Sequence, residues 1–369
     1  MSQPKILELL ENCGIFISQS TISRILTNDA SGFNEEKDAI FRAALGATPF
    51  QQIDDTTVRV NGKNQYSQIF CNPYYTAFFT VPYKNRLTIL DILLCGKERK
   101  YLFNAHAFSL LSNFNISNKI TNQIFGLAYD KEFSEFEMQK LLNIIFPKAK
   151  KGKTTKTRIR EAAAIAYYHC QSEIPIVNIL LSDDAPQFKK LTLEHALCWI
   201  HEGRHYNRLS PIICFNVEEL KKFKTRFWDY YGDLLNYKKN PTQEAATRLS
   251  SKFDDLFSTK TGYDTLDDRI KKTKAKKEAL LQVLQYPWLP LHNNDSELGA
   301  RVEKRRQDVS LQTKSDKGTK AKDSFLTVTQ TAKKLSVNAY KYIYDRISKT
   351  LDMPSLADLI LENSIPQIE

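Results

Sequence analysis

The chain has 369 residues, of which 42% are hydrophobic, and a formal net charge of +11 from 53 Lys and Arg against 42 Asp and Glu. This length exceeds that of an ordinary domain and predicts two or three domains, or one core that carries insertions. The basic balance favours a polyanionic partner, in most cases nucleic acid. The six cysteines form no CxxC pair and no apolar run approaches the ~20 residues of a membrane helix, so we expect a soluble, cytoplasmic protein with reduced thiols.

The first fifty residues carry apolar side chains at helical spacing. They predict one short helix over residues 4–12 and a second, QSTISRIL, that is capped by Ser18 and separated from the first by Gly14. The pair fits two interpretations equally well. It is either part of a helix-turn-helix, with Gln19 and Arg24 on the face toward a DNA groove, or a plain helical hairpin.

The period of the pattern changes at Phe50. Three runs rich in β-branched and aromatic residues, QQIDDTTVRV, QYSQIFCN and YYTAFFTVP, predict three consecutive antiparallel strands. Residues 95–175 are expected to be mainly helical, with a basic connector over 148–160 that includes Lys150, Lys151 and Lys153. The continuous apolar run IVNILL then predicts a strand buried on both faces, which Asp183 follows closely.

The segment over residues 190–285 is predicted to be helical throughout, with Phe223, Phe227 and Trp228 in its core. After two prolines, a helix begins near residue 294, and a last helical region covers 323–348. We therefore expect five segments: 1–49 helical, 50–189 the first part of a core, 190–290 a helical insertion, 291–350 the rest of the core with closing helices, and 351–369 a tail.

Three carboxylates stand at positions suited to a site. Asp54 lies within the first strand, Asp183 at the end of the buried strand and Glu297 in the first turn of a helix. Three such groups can hold two divalent metals roughly 3.5–4 Å apart, and hard oxygen ligands suit Mg²⁺ or Mn²⁺. Composition and periodicity do not single out these three, and the adjacent Asp55 and Asp184 are alternatives.

A set of sequence segments, taken in their order along the chain, selects among these carboxylates. QIDDTTVRV, NILLSDDAPQF, HALCWIHEGRHYNRL and HNNDSELGARVEKRRQDVSLQT resemble, in that order, blocks of the DDE transposases of the type-66 insertion sequences. The closing segment SFLTVTQTAKKLSVNAYKYIYDRIS resembles the C-terminal helices of that family, so the similarity covers residues 50–348. By this resemblance the catalytic and metal-binding residues are Asp54, Asp183 and Glu297, with Asn293, Asn294 and Arg301 around the glutamate.

The resemblance implies an α/β fold with an RNase H-like mixed sheet, a large all-helical insertion before Glu297 and an N-terminal helical segment. The 113 residues between Asp183 and Glu297 agree with such an insertion. It also implies two Mg²⁺ or Mn²⁺ ions, double-stranded DNA as the partner, a homodimer or higher oligomer in the synaptic complex, and association with the nucleoid. The Cys-rich N-terminal zinc module of many family members is absent.

Two alternatives to transposition share these residues: a domesticated or degenerate relative that binds DNA, and an RNase H-like nuclease that does not transpose. Basic residues expected to contact DNA include Arg301, Lys304 and Arg305, with Arg301 and Arg305 on the helix face of Glu297. Cys198, His201 and His205 share one helical face, which is compatible with zinc, but we favour the interpretation that they form a packed thiol and a polar helix face.

Overall fold

A computed structural model describes residues 2–28, 31–147 and 152–364 of the chain. The protein is mixed α/β and separates into two compact units. The first unit comprises Met1–Val177, Lys190–Thr192 and Asp295–Glu369, and the second comprises Asn178–Lys189 and Leu193–Asn294. Within the described ranges, no helix combines the length and the apolar character that crossing a membrane requires.

Three helices open the first unit: α1 (Gln3–Asn12), α2 (Gln19–Asn28) and α3 (Ser31–Ala47). The first two confirm the sequence prediction, and the Ser18 hydroxyl caps α2 by accepting the Thr21 amide at 3.1 Å. Sequence reasoning did not predict α3, which buries Phe41 edge-on against a strand residue, Phe70. The N-terminal segment is therefore helical as expected, with a third helix as its main contact to the sheet.

Three consecutive strands follow, as predicted: β1 (Phe50–Val60), β2 (Lys63–Asn72) and β3 (Tyr75–Val81). They form an antiparallel meander in which β2 pairs with both neighbours. Asn61 and Gly62 join β1 to β2 with φ values of +47° and +75°. A two-residue hairpin turn of this type needs positive φ at both positions, which Asn and Gly adopt most readily. The turn fixes the register that opposes Asp54 to Ile69.

A mainly helical elaboration follows the meander, as expected for residues 95–175. Its elements are α4 (Arg86–Leu93), β4 (Tyr101–Leu102), α5 (Ala105–Asn113), α6 (Asn118–Ala128), β5 (Glu132–Phe133), α7 (Glu135–Ile145) and α8 (Lys153–Cys170). The prediction of a connector up to residue 160 is wrong from Lys153 onward, because α8 already begins there. Its first turns are basic, but Ile159 is fully buried and α8 packs on α4, α5 and β4.

The second unit begins with two parallel strands, β6 (Ile179–Ser182) and β7 (Glu194–Leu197). All four residues of β6 are buried, as the apolar run predicted. The prediction of an all-helical segment over 190–285 is wrong at β7. Glu, His, Ala and Leu form no β-type sequence pattern, and it is their pairing with β6 that makes them a strand. The helical part begins only at Trp199.

The rest of the second unit is helical: α9 (Trp199–Asn207), α10 (Cys214–Lys239), α11 (Gln243–Leu256), α12 (Asp264–Lys274), α13 (Lys277–Leu280) and α14 (Gln282–Gln285). Its core is aromatic. Trp199 is fully buried against Phe227, Tyr230 and Phe253, and its indole N–H donates to the Leu280 carbonyl at 2.8 Å. Phe223 and Phe227 are buried as predicted, whereas Trp228 is only partly buried.

Four further helices follow in the described part of the chain: α15 (Asn294–Val309), α16 (Asp316–Lys334), α17 (Ala339–Ser348) and α18 (Leu356–Glu362). The last helical region begins earlier than the predicted residue 323: residues 316–322 are the first turns of α16, and the Ser315 hydroxyl caps them by accepting the Gly318 amide at 3.1 Å. The segment expected to be a tail contains α18, whose Leu356 and Ile360 are fully buried. Helix α18 packs on α3, so the two ends of the first unit meet.

Helix α16 lies along β3 and bonds to its backbone. The Thr76 amide donates to Thr331 Oγ1 at 3.3 Å, the Phe78 amide to Thr327 Oγ1 at 3.1 Å, and the Thr80 amide to an Asp323 oxygen at 2.7 Å. The three acceptors are spaced four residues apart on the helix, which is about 6 Å along its axis. This spacing is close to the roughly 6.8 Å between alternate residues of a strand, so each acceptor meets one amide of β3. The side chains of one helix face therefore take the place of a neighbouring strand.

A buried ionic cluster joins α15, α16 and β3. The Lys322 ammonium lies 3.3 Å from Glu303 Oε2, 2.9 Å from Asp323 Oδ1 and 2.8 Å from Thr80 Oγ1. Glu303 is fully buried and also pairs with Arg306 at 3.0 Å. An unpaired buried charge would strongly destabilise the fold, so each of these buried charges needs the others as partners. The cluster fixes α15 relative to the sheet.

Candidate functional site

Asp54 lies in the middle of β1, on the face of the meander that also carries Gln52. Alternate residues of a strand point to the same side, and directly opposed residues of an antiparallel pair share a face. Asp54 therefore shares its face with Ile69, and Gln52 shares it with Cys71. One oxygen of the Asp54 carboxylate accepts the Asp55 amide at 2.8 Å, which orients the carboxylate relative to its own backbone.

The neighbouring Asp55 points to the other face of β1. Its carboxylate lies 3.0 Å from the Lys84 ammonium, and its side chain is 9% exposed. Asp55 is thus engaged in an ion pair on the face opposite Asp54. Of the two adjacent acids that the sequence offered, Asp54 is the one on the face covered by α15.

Helix α15 crosses this face at close range. A Cβ atom at Gly299 would lie 2.7 Å from Ile69 Cγ2 and 3.2 Å from Thr76 Cγ2, so only glycine permits the observed approach. Near the start of the helix, the side-chain Nε2 of Gln52 donates to Asp295 Oδ2 at 3.3 Å. Near its end, Lys304 and Gln307 donate to the Thr57 carbonyl at 2.8 and 3.1 Å. The helix and β1 therefore run in the same direction.

Glu297 lies between these two anchor points, in the first turn of α15. Its spacing to Arg301 and Lys304 places the three on one flank of the helix, and Lys304 contacts β1. The side chain of Glu297 is 12% exposed, and Arg301 is 3.9 Å away and 61% exposed. Between the Gln52 and Thr57 contacts, the backbone of Glu297 lies near the level of Ile53 along the strand, next to Asp54. Two of the predicted acids are thus brought to one face of one sheet.

Burial at this face changes the chemistry of a neighbouring thiol. The pKa of Cys71 is raised to about 12, mainly by burial; the Lys334 ammonium acts to lower it, and the carboxylates of Asp295 and Asp54 contribute to the rise. The thiol therefore stays protonated at neutral pH and is a poor metal ligand. Its surroundings show that the Asp54 and Asp295 carboxylates both lie close enough to act on one side chain. Sequence reasoning missed Gln52 and Asp295, which only their mutual contact reveals.

We expect Gly299→Ala to destabilise the protein by about 1–3 kcal/mol, because the added methyl group overlaps Ile69 and α15 must move away from the sheet. Gly126→Ala in α6 is the matched control, since nothing lies within 4 Å of the added Cβ; a gain of about 0.5–1 kcal/mol is expected there. Urea unfolding measures both. Equal effects of the two substitutions would contradict the close approach.

In the second unit, Asp183 follows β6 directly. One of its carboxylate oxygens accepts the Ala185 amide at 3.0 Å, so the side chain caps the turn that leaves the strand. The adjacent Asp184 pairs with Lys189 at 2.5 Å and with Lys276 at 2.7 Å. Burial raises the pKa of Asp184, but bonding to these two lysines outweighs it and holds the pKa below its ordinary value. As with Asp55, the alternative acid is engaged in ion pairs.

The basic residues predicted to contact DNA occupy different places. Arg301 and Arg305 are exposed on α15, whereas the Lys304 ammonium is bonded to the Thr57 carbonyl. Gln19 and Arg24 are exposed on α2, and Lys153 is exposed at the start of α8. Lys150 and Lys151 lie outside the described residues. Exposure leaves these side chains accessible to phosphates, and the contacts themselves stay predictions.

The three residues considered for zinc are only partly arranged as the helical spacing suggested. Cys198 precedes α9 rather than lying in it, and is buried. Its sulfur and a ring nitrogen of His201 lie within 4.8 Å of each other. The Nε2 atom of His201 is hydrogen-bonded to the Arg204 guanidinium at 2.9 Å. Burial lowers the pKa of His205, and the nearby Arg269 lowers it further. His205 does not join Cys198 and His201 as a third ligand in the part of the chain that is described.

Comparisons with known proteins give one informative match. The uncharacterized protein y4jO of Sinorhizobium fredii (strain NBRC 101917 / NGR234) is 28% identical over 325 residues, which cover 87% of this chain and 98% of that protein. No protein-family model matches the chain, and no solved structure matches it. The similarity to y4jO therefore extends over both units, and the activity has to be argued from the site.

Proposed function

We propose that the protein is a DDE transposase that cuts and joins DNA strands with Asp54, Asp183 and Glu297. The observation that carries the proposal is the packing of α15 on the meander, because it lays the helix that bears Glu297 over the sheet face that bears Asp54, although the two residues are far apart in sequence. The ordered sequence blocks support the same residues. Asp54, unlike Asp55, lies on the face of β1 that α15 covers.

The donor set fits two Mg²⁺ or Mn²⁺ ions. Carboxylate oxygens are hard ligands, which these ions prefer, and the nearby Cys71 thiol is protonated and does not compete. When bound, such ions activate an attacking hydroxyl and stabilise the leaving oxygen of a phosphodiester. Asp54, Asp183 and Glu297 would hold them.

The protein's own contribution is position. The bond from the Asp55 amide orients the Asp54 carboxylate, and the Ala185 amide orients that of Asp183. Contacts of Gly299 and Lys304 with the sheet hold Glu297 on a rigid helix. Phosphoryl transfer requires mainly alignment and charge neutralisation, so ligands on fixed elements suit the reaction.

Double-stranded DNA is the proposed substrate. The net charge of +11 attracts a polyanion over a long range. Arg301 and Arg305 are exposed on the helix that carries Glu297, where they would bind the phosphates that flank the cleaved bond.

The decisive experiment incubates the protein with DNA ends of its own element, a target plasmid and Mg²⁺, and sequences the junctions. Strand joining at defined ends supports the proposal. Cleavage without joining would instead indicate a nuclease, and binding without cleavage in either Mg²⁺ or Mn²⁺ would indicate a degenerate DNA-binding relative. Terminal inverted repeats on both sides of the gene identify which ends to use.

Arg301→Ala should weaken DNA binding and reduce the salt dependence of binding by roughly one phosphate contact, while cleavage survives at low salt. The reason is that an exposed arginine acts on phosphate and not on metal. Lys119→Ala, which removes an exposed charge from α6 in the first unit, is the control. Mobility shifts across a salt series measure both variants. An unchanged salt slope for Arg301→Ala would exclude the phosphate contact.

A further inference from the structure

A chain of ion pairs in the second unit links the turn after β6 to the helices α9 and α12. At its centre is Lys276, which lies between α12 and α13 with its side chain only 15% exposed. Its ammonium is 2.7 Å from Asp184 Oδ2 and 2.9 Å from Glu202 Oε2. One cation therefore bridges the residue after Asp183 and a buried acid of the helical part.

Glu202 is a fixed anchor for this bridge. Its carboxylate is 4% exposed and is also bound by Arg269 and by the Thr273 hydroxyl, the latter at 2.5 Å. Tyr206 in turn bonds to Thr273. Burial raises the pKa of Glu202, but Lys276, Thr273 and Arg269 together outweigh it and keep the pKa below its ordinary value, so the anchor stays ionised at neutral pH.

The turn held by the bridge is the one that orients Asp183. The Asp183 carboxylate accepts the Ala185 amide, so its direction follows the backbone of residues 183–185. On the strand side, the Ser182 hydroxyl donates to the Asp183 carbonyl at 2.7 Å and bonds to His195 Nε2 at 2.8 Å. The strand side is thus fixed by β7, and the other side by Asp184 and Lys276. Releasing Asp184 would free the turn on one side only.

We infer that Lys276 is a positioning residue that fixes the carboxylate of Asp183 by tying Asp184 to Glu202. The catalytic part of this inference rests on the proposed function, and the structural part does not. Groups that orient metal-binding residues commonly contribute about 10- to 100-fold to activity. Loss of the bridge should therefore slow DNA cleavage by roughly that factor and leave DNA affinity nearly unchanged.

The test compares Lys276→Met with Lys277→Met, its neighbour in sequence. Lys277 pairs with the half-exposed Asp254 at 2.6 Å and is the matched control for loss of a lysine at this position. Asp184→Asn is the second test variant, because it breaks the same link and leaves the pairing of Lys276 with the buried Glu202 in place. It keeps the inference testable if Lys276→Met does not fold. Lys276→Arg keeps the positive charge and should recover most of the activity.

Two measurements separate the inference from the proposed function. Hydrogen–deuterium exchange of residues 183–189 should become faster in Lys276→Met and Asp184→Asn and stay unchanged in Lys277→Met; unchanged exchange in both test variants would overturn the inference. Cleavage by the same variants should fall in parallel, and wild-type cleavage with a loosened turn would overturn the catalytic role. If the wild-type protein binds the ends of its own element but does not cut them, the proposed function fails. Hydrogen–deuterium exchange of residues 183–189 then still tests whether Lys276 fixes the turn.

Discussion

Asp54→Asn, Asp183→Asn and Glu297→Gln should each reduce DNA cleavage and strand joining by more than about 100-fold, while DNA binding stays close to that of the wild type. The amides preserve size and shape but remove the charge that a divalent cation requires. The loss should exceed the ~10- to 100-fold typical of residues that merely orient a ligand. DNA affinity is expected to remain or to rise slightly, because a negative charge beside phosphate disappears.

Asp55→Asn is the matched control for this set. Asp55 is adjacent to Asp54 but pairs with Lys84 on the other face of β1, so its substitution should leave cleavage almost unchanged. Paired assays, mobility shift for binding and cleavage in Mg²⁺ or Mn²⁺, separate the two steps for every variant. A triad variant that cuts at a near wild-type rate is excluded as a metal ligand. If Asp55→Asn abolished cleavage and Asp54→Asn did not, the assignment within β1 would be reversed.

Lys322→Met should have the largest effect on stability, a loss of about 3–5 kcal/mol. The ammonium of Lys322 compensates Glu303, which is fully buried, and Asp323, which is nearly so. Without Lys322, Glu303 keeps its ion pair with Arg306, and Asp323 loses the ammonium that compensates its charge. Removing one member of a buried ionic cluster lowers the free energy of unfolding strongly, because an uncompensated charge stays behind. Replacing the whole cluster with apolar residues would change it far less.

Lys320→Met is the control for Lys322→Met, since Lys320 is exposed on the same helix and its loss should change the free energy of unfolding by less than about 0.5 kcal/mol. Urea unfolding followed by circular dichroism gives both values. The double variant Lys322→Met with Glu303→Gln should recover part of the loss, because it removes one of the two carboxylate charges that Lys322 compensates. Similar stability of the Lys322 and Lys320 variants would show that the cluster does not hold α15 in place.

The parts of the fold that the sequence predicted correctly are those set by local signals. The meander follows from alternating β-branched and aromatic residues and from the Asn61-Gly62 turn, and the burial of β6 follows from an uninterrupted apolar run. Asp54, Asp183 and Glu297 occupy the elements predicted for them, namely a strand, a strand end and the first turn of a helix. Their catalytic role remains a prediction.

The parts that sequence reasoning missed depend on contacts between different elements of the fold. The β7 residues become a strand only by pairing with β6, and α18 forms in the expected tail because Leu356 and Ile360 bury themselves in the first unit. The ion pairs of Asp55 and Asp184 involve Lys84 and Lys276, which no local pattern connects to these acids. Sequence spacing can indicate a candidate carboxylate, but only the tertiary structure shows that the adjacent Asp55 and Asp184 form ion pairs.

The bonds between α16 and β3 also bear on how copies of the protein can associate. A strand with free amides along its outer edge is a template onto which a strand from another molecule can dock, and this is a common route to aggregation. On β3 the amides of Thr76, Phe78 and Thr80 already donate to side chains of α16. Sheet extension at this edge would require α16 to detach first. Copies of the protein are therefore protected from joining through this edge of the sheet for as long as α16 stays in place.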